Sequence, residues 1–290
     1  MMRTAILTDT NSGLTVEEGK AAGIYVLPMP VIIEEKSYLE GIDITNEQLY
    51  EAIRTDKELS SSQPSPGDIL AMWDQILGDG YDEIVYIPMS SGLSSTCSNA
   101  MQLAQEYDSK VQVVDNHRIS VTLRESVYDA MALADQGHSA AEIKKRLEDS
   151  AYLATIYLTV PSLKYLLKGG RITPAAAAIA NIFNIKPILT IQGEKLDLFA
   201  KVRGIKQSEK RMIEALKADL ASRFSDIPSR RLLVATAGTF EKKEDADRWR
   251  GLVQSAFPES TVSYSPLPCS IACHVGMDAT ALGAVVTEER

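Results

Sequence analysis

The stretch EIVYIPMSSGLSSTCSNAMQL, residues 83–103, contains the pattern that decides the fold. Ile84–Met89 is a short apolar run typical of a buried strand, and Leu93–Leu103 has the pattern of a helix that follows it. Short apolar strands joined by helices predict a parallel sheet covered on both faces. In such a sheet ligands bind at the carboxyl ends of the strands, which is where Ser90 and Ser91 lie.

The same alternation of strands and helices runs through the first half of the chain. Predicted strands are Thr4–Asp9, Ile24–Ile33, Glu83–Pro88 and Val111–Asp115, and predicted helices are Asn46–Arg54, Pro66–Leu77, Ser94–Tyr107 and Ser120–Gln136. We therefore expect residues 1–150 to form an N-terminal α/β/α, Rossmann-like domain around a parallel sheet.

The pattern changes after residue 150. Predicted strands are Tyr152–Val160, Leu232–Ala237 and a final one near Thr261–Ser265; predicted helices are Ser139–Ser150, Ser162–Lys168, Pro174–Phe183 and Lys206–Phe224. The run PILTIQGEKLDLFAKV, residues 187–202, predicts a β-hairpin. Hairpins mixed with helices predict a C-terminal α+β domain with antiparallel strands over residues 151–290, and we expect a ligand between the two domains.

Composition and charge exclude several classes of protein. The 290 residues are 45% apolar and 24% charged, as in ordinary globular proteins, and the net charge of −9 argues against a nucleic-acid partner. No apolar run approaches the roughly 20 residues needed to cross a bilayer, so we expect no stable membrane insertion. The start, MMRTAILTDTNSG, lacks the pattern of a signal peptide, which predicts a cytoplasmic protein.

The cysteines favour neither a disulfide framework nor a metal site. Three cysteines fit a reducing compartment. The run CSIACH brings Cys269, Cys273 and His274 together, but zinc sites usually take four ligands from paired short spacings, and the sequence has no second cluster. We therefore predict no metal and no cofactor.

The serines after the strand at residues 84–89 have three interpretations. Ser90 or Ser91 could be an N-cap, could bind an anion at the helix start, or could be a nucleophile. A nucleophile in this kind of fold usually lies in a Gly-x-Ser-x-Gly turn, and here the first glycine is missing. The residues alone leave all three open, with capping favoured.

Other polar segments are candidates for the same site. In SSSQPSPG, residues 60–67, Ser65 suits the N-cap of a helix that begins at Pro66, and the earlier serines offer uncharged donors. In LKYLLKGGRITPA, residues 163–175, one glycine can end a helix and Arg171 is a cation suited to an anion. The segment KVRGIKQSEKR, residues 201–211, forms a basic strip that contains Arg203.

Taken together, these motifs resemble the DegV family of bacterial fatty-acid-binding proteins, including the acyl carriers that serve fatty acid kinase. The resemblance runs almost from end to end, through TDTNSGL, SSQPSPG, SSGLSST, VVDN, LKYLLKGGRIT, IKPILTI followed by KVRG, and HVG. It implies a two-domain α/β protein that buries a long-chain fatty acid, such as palmitate or oleate. It also implies a non-catalytic carrier that works with a fatty acid kinase.

The resemblance also implies roles for individual residues. The family's carboxyl-binding positions fall on Ser61, on Ser91 with Ser90 as the second choice, and on His274. The family's two arginines fall on Arg171 and Arg203, and imply contacts with the head group or with the kinase. No catalytic residue is implied.

This chain departs from the family pattern at three places. Residues 276–279 read Gly-Met-Asp-Ala where the family usually has Gly-Pro-Gly, Ser94-Ser95 replaces a serine-glycine pair, and His117-Arg118 follows VVDN. Two alternatives to the carrier stay open. One is a serine-dependent acyl hydrolase or acyltransferase that uses Ser91 and His274, and the other is an interaction module with an empty pocket.

Overall fold

The computed structural model describes residues 2–180 and 185–289 of the chain. The strands are β1 (Thr4–Asp9), β2 (Tyr25–Leu27), β3 (Pro30–Ile33), β4 (Lys36–Leu39), β5 (Leu59–Ser61), β6 (Glu83–Ile87), β7 (Val111–Val113), β8 (Ala154–Thr159), β9 (Lys186–Ile191), β10 (Asp197–Val202), β11 (Leu232–Gly238), β12 (Ser263–Pro266) and β13 (Thr280–Val286). The helices are α1 (Val16–Ala22), α2 (Asn46–Arg54), α3 (Pro66–Gly78), α4 (Thr96–Leu103), α5 (Ser120–Asp135), α6 (Ala140–Asp149), α7 (Lys164–Gly169), α8 (Pro174–Ala177), α9 (Ile205–Ala221), α10 (Lys243–Ala256) and α11 (Cys269–Val275).

The described strands form three sheets. A parallel sheet has the order β2-β1-β6-β7, and a small antiparallel sheet has the order β4-β3-β5. The third sheet, β10-β9-β8-β13-β11-β12, is antiparallel except where β11 pairs with β12. The predicted α/β fold is therefore confirmed, with its parallel sheet in the N-terminal half and antiparallel strands in the C-terminal half.

Several predicted elements are confirmed in detail. Ser65 caps α3, because its side chain accepts the N–H of Asp68 while the Asp68 carboxylate accepts the N–H of Ser65. The hairpin is formed by β9 and β10, although residues 192–196 connect them instead of two residues. Helix α8 begins at Pro174 as predicted but ends at Ala177, and residues 181–183 of that predicted helix lie outside the described residues.

The prediction of one strand over Ile24–Ile33 is wrong. The segment divides into β2 and β3, which belong to different sheets. The division falls at Pro28, which has no backbone N–H to donate to a ladder, and at Met29. The N–H of Met29 donates instead to the Thr10 hydroxyl, 3.1 Å away. The apolar run therefore turns a corner between two sheets.

The prediction that the final strand lies near Thr261–Ser265 is also wrong, since one more strand follows it. His274 belongs to α11, and the later strand β13 lies between β8 and β11, inside the six-stranded sheet. All seven residues of β13 are buried. Its sequence, TALGAVV, is rich in alanine and glycine, which have low strand propensity, so the apolar pattern was too weak to reveal it.

Two helices place the site between the sheets. Helix α5 packs against β1 of the parallel sheet and against β13 of the six-stranded sheet. Helix α11 packs against α2, β3, β5 and α7, so it joins elements that are far apart in sequence. Within the part of the chain that the structure describes, no helix has the length and apolar character needed to cross a membrane.

Candidate functional site

A deep cavity lies between the parallel and the six-stranded sheets. It encloses about 910 Å³ of space, counting its opening to solvent, and most of its lining is apolar. Polar side chains on its wall include those of Ser61, Ser94, Arg171, Ser270 and His274. A few polar groups in a mostly apolar cavity are typical of a site for a small amphipathic molecule.

The floor of the cavity is one face of the six-stranded sheet. Ile156 and Leu158 of β8 pair with Gly283 and Ala281 of β13, and all four line the cavity. A side chain on Gly283 would point toward Ile156, whose Cγ1 atom would lie 3.5 Å from the added Cβ. The small residues of β13 therefore leave the space that larger side chains would fill.

Ser61 and His274 meet on the cavity wall. Ser61 ends β5, and His274 lies near the end of α11. The Ser61 Oγ atom is 2.8 Å from Nε2 of His274, which is the distance of a hydrogen bond. The structure thus brings together two of the predicted carboxyl-binding residues.

The imidazole of His274 is neutral at pH 7. Burial, and after it the positive charge of Arg171, lower the pKa of His274 from 6.5 to about 4. A neutral imidazole carries one N–H and one acceptor nitrogen. His274 can therefore donate or accept one hydrogen bond at Nε2, but it brings no charge to the cavity.

The glycine pair at residues 169 and 170 has two separate functions. Gly170 has φ of 68° and ends α7 in the left-handed conformation, as the sequence predicts for one glycine. Gly169 lies against His274, and a Cβ atom at this position would overlap the imidazole ring. The first glycine thus makes room for the histidine and the second ends the helix.

Arg171 is held beside this pair by backbone carbonyls. Its guanidinium donates to the carbonyl of Gly169 and, from Nε at 3.4 Å, to the carbonyl of Leu93. Arg171 lines the cavity and is partly buried. A fixed cation at this position favours an anionic group at the polar end of the cavity.

Glu40 anchors the start of the helix that carries His274. Its buried carboxyl accepts the N–H groups of Cys269 and Ser270, the first two residues of α11. The hydroxyls of Thr10 and Ser270 each donate to Glu40 Oε2 at 2.8 Å. Burial raises the pKa of Glu40, and these hydrogen bonds act in the opposite direction.

The serines of the SSGLSS segment, residues 90–95, have different environments. Ser90 is buried, and its hydroxyl donates to the carbonyl of Gly193. Ser91 is exposed, and its backbone N–H donates to the Asp115 carboxylate at 3.2 Å. Neither lines the cavity, whereas Ser94 does. The structure therefore does not bring Ser90 or Ser91 to Ser61 and His274.

The helix-capping interpretation of Ser90 and Ser91 is wrong as well. Helix α4 begins at Thr96, and the Oγ atom of Ser94 accepts the Thr96 N–H at 3.2 Å. The sequence pattern had placed the start of this helix at Ser94, two residues too early. A later start would have pointed to Ser94 as the serine nearest the helix amides.

Asp9 occupies the carboxyl end of β1, as predicted, but inside the protein. Its carboxylate accepts the N–H groups of Asn11 and Met89, at 2.9 and 3.1 Å, and so ties the loop after β1 to the loop after β6. Burial raises the pKa of Asp9 to about 6. Its contacts are structural and do not reach the Ser61–His274 pair.

The remaining predicted residues lie away from the cavity. Arg203 is exposed just before α9, does not line the cavity, and its backbone N–H donates to Gln207. Cys269 and Cys273 are buried, with pKa values raised by burial, so neither is a thiolate at pH 7. Across residues 2–180 and 185–289, no three His, Cys, Asp or Glu side chains are grouped so that they could hold a metal ion.

Comparison with solved structures identifies the fold. The chain superposes with a TM-score of 0.87 on a fatty-acid-binding DegV family protein from Thermus thermophilus, at 25% identity over 98% of this chain and 100% of the other. It is equally similar to the fatty-acid-binding DegV family protein SAG1342 from Streptococcus agalactiae, with a TM-score of 0.87 and 26% identity. That match covers 99% of this chain and 100% of the other.

Sequence comparisons agree with the structural ones. The DegV domain-containing protein SA1258 of Staphylococcus aureus is 31% identical over 289 residues, which cover 100% of both chains. A DegV domain-containing protein of Deinococcus radiodurans is 36% identical over 208 residues, 71% of this chain and 74% of the relative. Residues 3–287 match the family model described as an uncharacterised protein of the DegV family. The chain therefore belongs to the DegV family.

Proposed function

We propose that this protein binds one long-chain fatty acid in the cavity and is a carrier without catalytic activity. The observation that carries the proposal is the hydrogen-bonded pair of Ser61 and neutral His274 on the wall of a mostly apolar cavity. The fatty-acid-binding DegV proteins of T. thermophilus and S. agalactiae, which share the fold over their whole lengths, support it. Palmitate and oleate are the ligands to test first.

The carboxyl group would accept a hydrogen bond from Ser61, which in turn accepts one from His274. When the proton of His274 is on Nε2, this nitrogen donates to Ser61 Oγ, and the Ser61 hydroxyl is free to donate to a carboxylate. In the other tautomer Nε2 accepts the hydrogen bond of the Ser61 hydroxyl, which is then not free to donate to a carboxylate. A bound carboxylate therefore selects the Nε2–H tautomer.

Ser94 and Arg171 complete the proposed head-group site. Ser94 takes the place that the family resemblance gave to Ser91 or Ser90, because Ser94 lines the cavity and the other two do not. Arg171 provides the positive charge that offsets the carboxylate. Arg203 is proposed to contact a partner instead of the ligand, since it is exposed and away from the cavity.

The acyl tail would supply most of the affinity. Burying about 14 methylenes contributes roughly 11 kcal/mol at about 0.8 kcal/mol each, before association costs of about 4–15 kcal/mol. The head group mainly fixes the orientation of the acid. Hydroxyls and a neutral imidazole donate the hydrogen bonds of this site, and Arg171 is already hydrogen-bonded to backbone carbonyls. Such a site suits a carrier, because the acid must later be released.

We also propose that residues 1–150 and 151–290 act as two domains that hold the acid between them. The strands of the parallel sheet all precede residue 114, and those of the six-stranded sheet all follow residue 153. Ser61 and Ser94 come from the first part, while Arg171 and His274 come from the second.

The hydrolase alternative needs Ser91 beside His274. The residue hydrogen-bonded to His274 is Ser61, and Ser91 is exposed. A histidine with a pKa of about 4 is also a weak general base at pH 7.

The proposed carrier would present its acid to a fatty acid kinase. Transfer of labelled phosphate to the bound acid by such a kinase would test this step.

Native mass spectrometry of the freshly purified protein, followed by extraction and identification of the ligand, tests the main proposal. We expect one fatty acid per chain. A protein that is purified empty and also refuses added palmitate and oleate would contradict the proposed function. Covalent labelling of Ser91 or Ser61 by a serine-directed phosphonate, with turnover of an acyl ester, would favour the hydrolase.

A further inference from the structure

A second, smaller cavity lies beside the first. It encloses about 270 Å³, counting its opening to solvent, and is lined by parts of residues 117–122, 151–156 and 191–193. Ile119, Ile156 and Ile191 line both cavities. The two spaces are therefore neighbours that share a wall of three isoleucine side chains, which we call the isoleucine wall.

The isoleucine wall is firmly built. Ile156 of β8 and Ile191 of β9 are direct partners across the antiparallel ladder, and Ile119 immediately precedes α5. Ile119 and Ile156 are only 8% and 7% exposed. Side chains branched at Cβ have few rotamers, so these three residues cannot easily turn aside.

The isoleucine wall lies away from the head-group pair along the sheet. Thr159 at the end of β8 pairs with Thr280, which starts β13 soon after the helix of His274 ends. Ile156 is three residues before Thr159 and so lies about 10 Å farther along β8 at about 3.3 Å per residue, in addition to the separation between Thr159 and the head-group pair. An acid whose carboxyl lies at Ser61 and His274 thus extends its tail along β8 toward the wall.

We infer that the isoleucine wall sets the longest acyl chain that this protein accepts. This inference rests on the proposed function. A tail that just reaches the wall is buried completely. The terminal carbons of a longer tail would have to displace stiff side chains or remain in water.

Cutting back the isoleucine wall would join the two cavities and give these terminal carbons the space that the removed side chains leave. The ring of His117, stacked on Tyr152 with centroids 5.3 Å apart and planes 19° apart, also lines the second cavity. The hydroxyl of Thr122 already donates to the carbonyl of Ile119. Each methylene that gains a buried position raises affinity about fourfold.

The test compares Ile156→Ala and Ile191→Ala with the unaltered protein. Displacement of a fluorescent fatty acid gives the affinities for laurate, palmitate, stearate, arachidate and behenate. We expect the unaltered protein to lose affinity abruptly at one length, and the ratio of arachidate to palmitate affinity to rise roughly tenfold or more in the variants. Ile188→Ala is the matched control, because Ile188 is a fully buried isoleucine of β9 that lines neither cavity.

Each outcome has a separate meaning. If the unaltered protein binds none of the acids, the proposed function fails and this inference fails with it. The unaltered protein could bind palmitate or stearate while both alanine variants fold and show the same ratio of arachidate to palmitate affinity as the unaltered protein. That result overturns this inference alone and leaves the proposed function standing. Should the alanine variants not fold, Ile156→Val and Ile191→Val remove one methyl group each, and an unchanged ratio in them overturns the inference equally.

Discussion

Gly169 and His274 pack so closely that a methyl group on Gly169 would overlap the imidazole ring. The glycine belongs to α7 and the histidine to α11, so this contact fixes the distance between two helices that form the wall of the cavity. His274 can therefore take this orientation, and form its hydrogen bond with Ser61, only because residue 169 has no side chain.

Replacing Gly169 with alanine should weaken fatty acid binding more than it affects stability. The added methyl group pushes the His274 ring away, so we expect at least a roughly tenfold rise in Kd for palmitate. The control is Gly170→Ala, whose new Cβ meets nothing within 4 Å. That variant should lose about 1–2 kcal/mol of stability, because φ is 68° there, and keep its affinity. Equal Kd values for the two variants would contradict the role of Gly169.

Removing the hydroxyls at the cavity wall should distinguish Ser94 from Ser91. We expect Ser61→Ala and Ser94→Ala each to raise the Kd for palmitate roughly tenfold, since a hydrogen bond to a charged group contributes about 1.5–3 kcal/mol. Ser91→Ala should leave the Kd unchanged, because Ser91 is exposed and does not line the cavity. Isothermal titration with palmitate measures all three. If only Ser91→Ala lost affinity for palmitate, Ser91 would be the carboxyl-binding serine, as the family resemblance implies.

The neutral state of His274 predicts how stability depends on pH. Its pKa is about 4 in the folded chain and 6.5 as the ordinary value, so the unfolded chain takes up the proton first as the pH falls. Stability is therefore complete above pH 6.5 and is lost between pH 6.5 and 4. Relative to His274→Gln, the free energy of unfolding of the unaltered protein should fall by about 3 kcal/mol from pH 7 to pH 4.

This comparison separates the effect of His274 from that of the buried acids of the chain. The pKa of Asp9 is raised to about 6, so its protonation stabilises the fold as the pH falls through 6, opposite to the effect of His274. Asp9 is present in both proteins, and its contribution cancels in the difference. Urea unfolding at several pH values gives both curves. Parallel curves would show that His274 is not held neutral.

Glu40 should be needed to hold α11 in place. Glu40→Ala leaves the first two amides of α11 without their acceptor, and we expect a loss of about 2 kcal/mol of stability together with weaker palmitate binding. Glu106→Ala, at an exposed position, should change stability by no more than about 0.5 kcal/mol. Urea unfolding measures both. Similar stabilities for the two variants would show that Glu40 is not needed to hold α11 in place.

The sequence predicts the elements that carry a strong apolar period. Helix α2 has the predicted bounds Asn46–Arg54 because its apolar residues recur at helical spacing, and β1 has the predicted bounds Thr4–Asp9 because it is a short continuous apolar run. Strand β13 is missed because Ala281 and Gly283, which line the cavity, have little or no side chain, and this weakens the apolar signal of the pattern. The small residues that leave room for the cavity are thus the same ones that make the strand on its floor hard to recognise in the sequence.

The site itself was predictable only in part. Motifs pointed to Ser61 and His274, and the structure brings these two together. Glu40 gave no local signal, because the amides it accepts are 229 and 230 residues away in the chain. Ser94 was missed because a pattern sets the start of a helix only to within a few residues.

The interior position of β13 has a consequence for synthesis. It is the last of its six strands to leave the ribosome, yet it lies between β8 and β11. Until it arrives, β10-β9-β8 and β11-β12 are separate pieces with unpaired edges, which attract other strands. The cavity closes only when β13 is inserted. Under the proposed function a nascent chain therefore cannot bind its fatty acid early, and it depends on protection from aggregation until that moment.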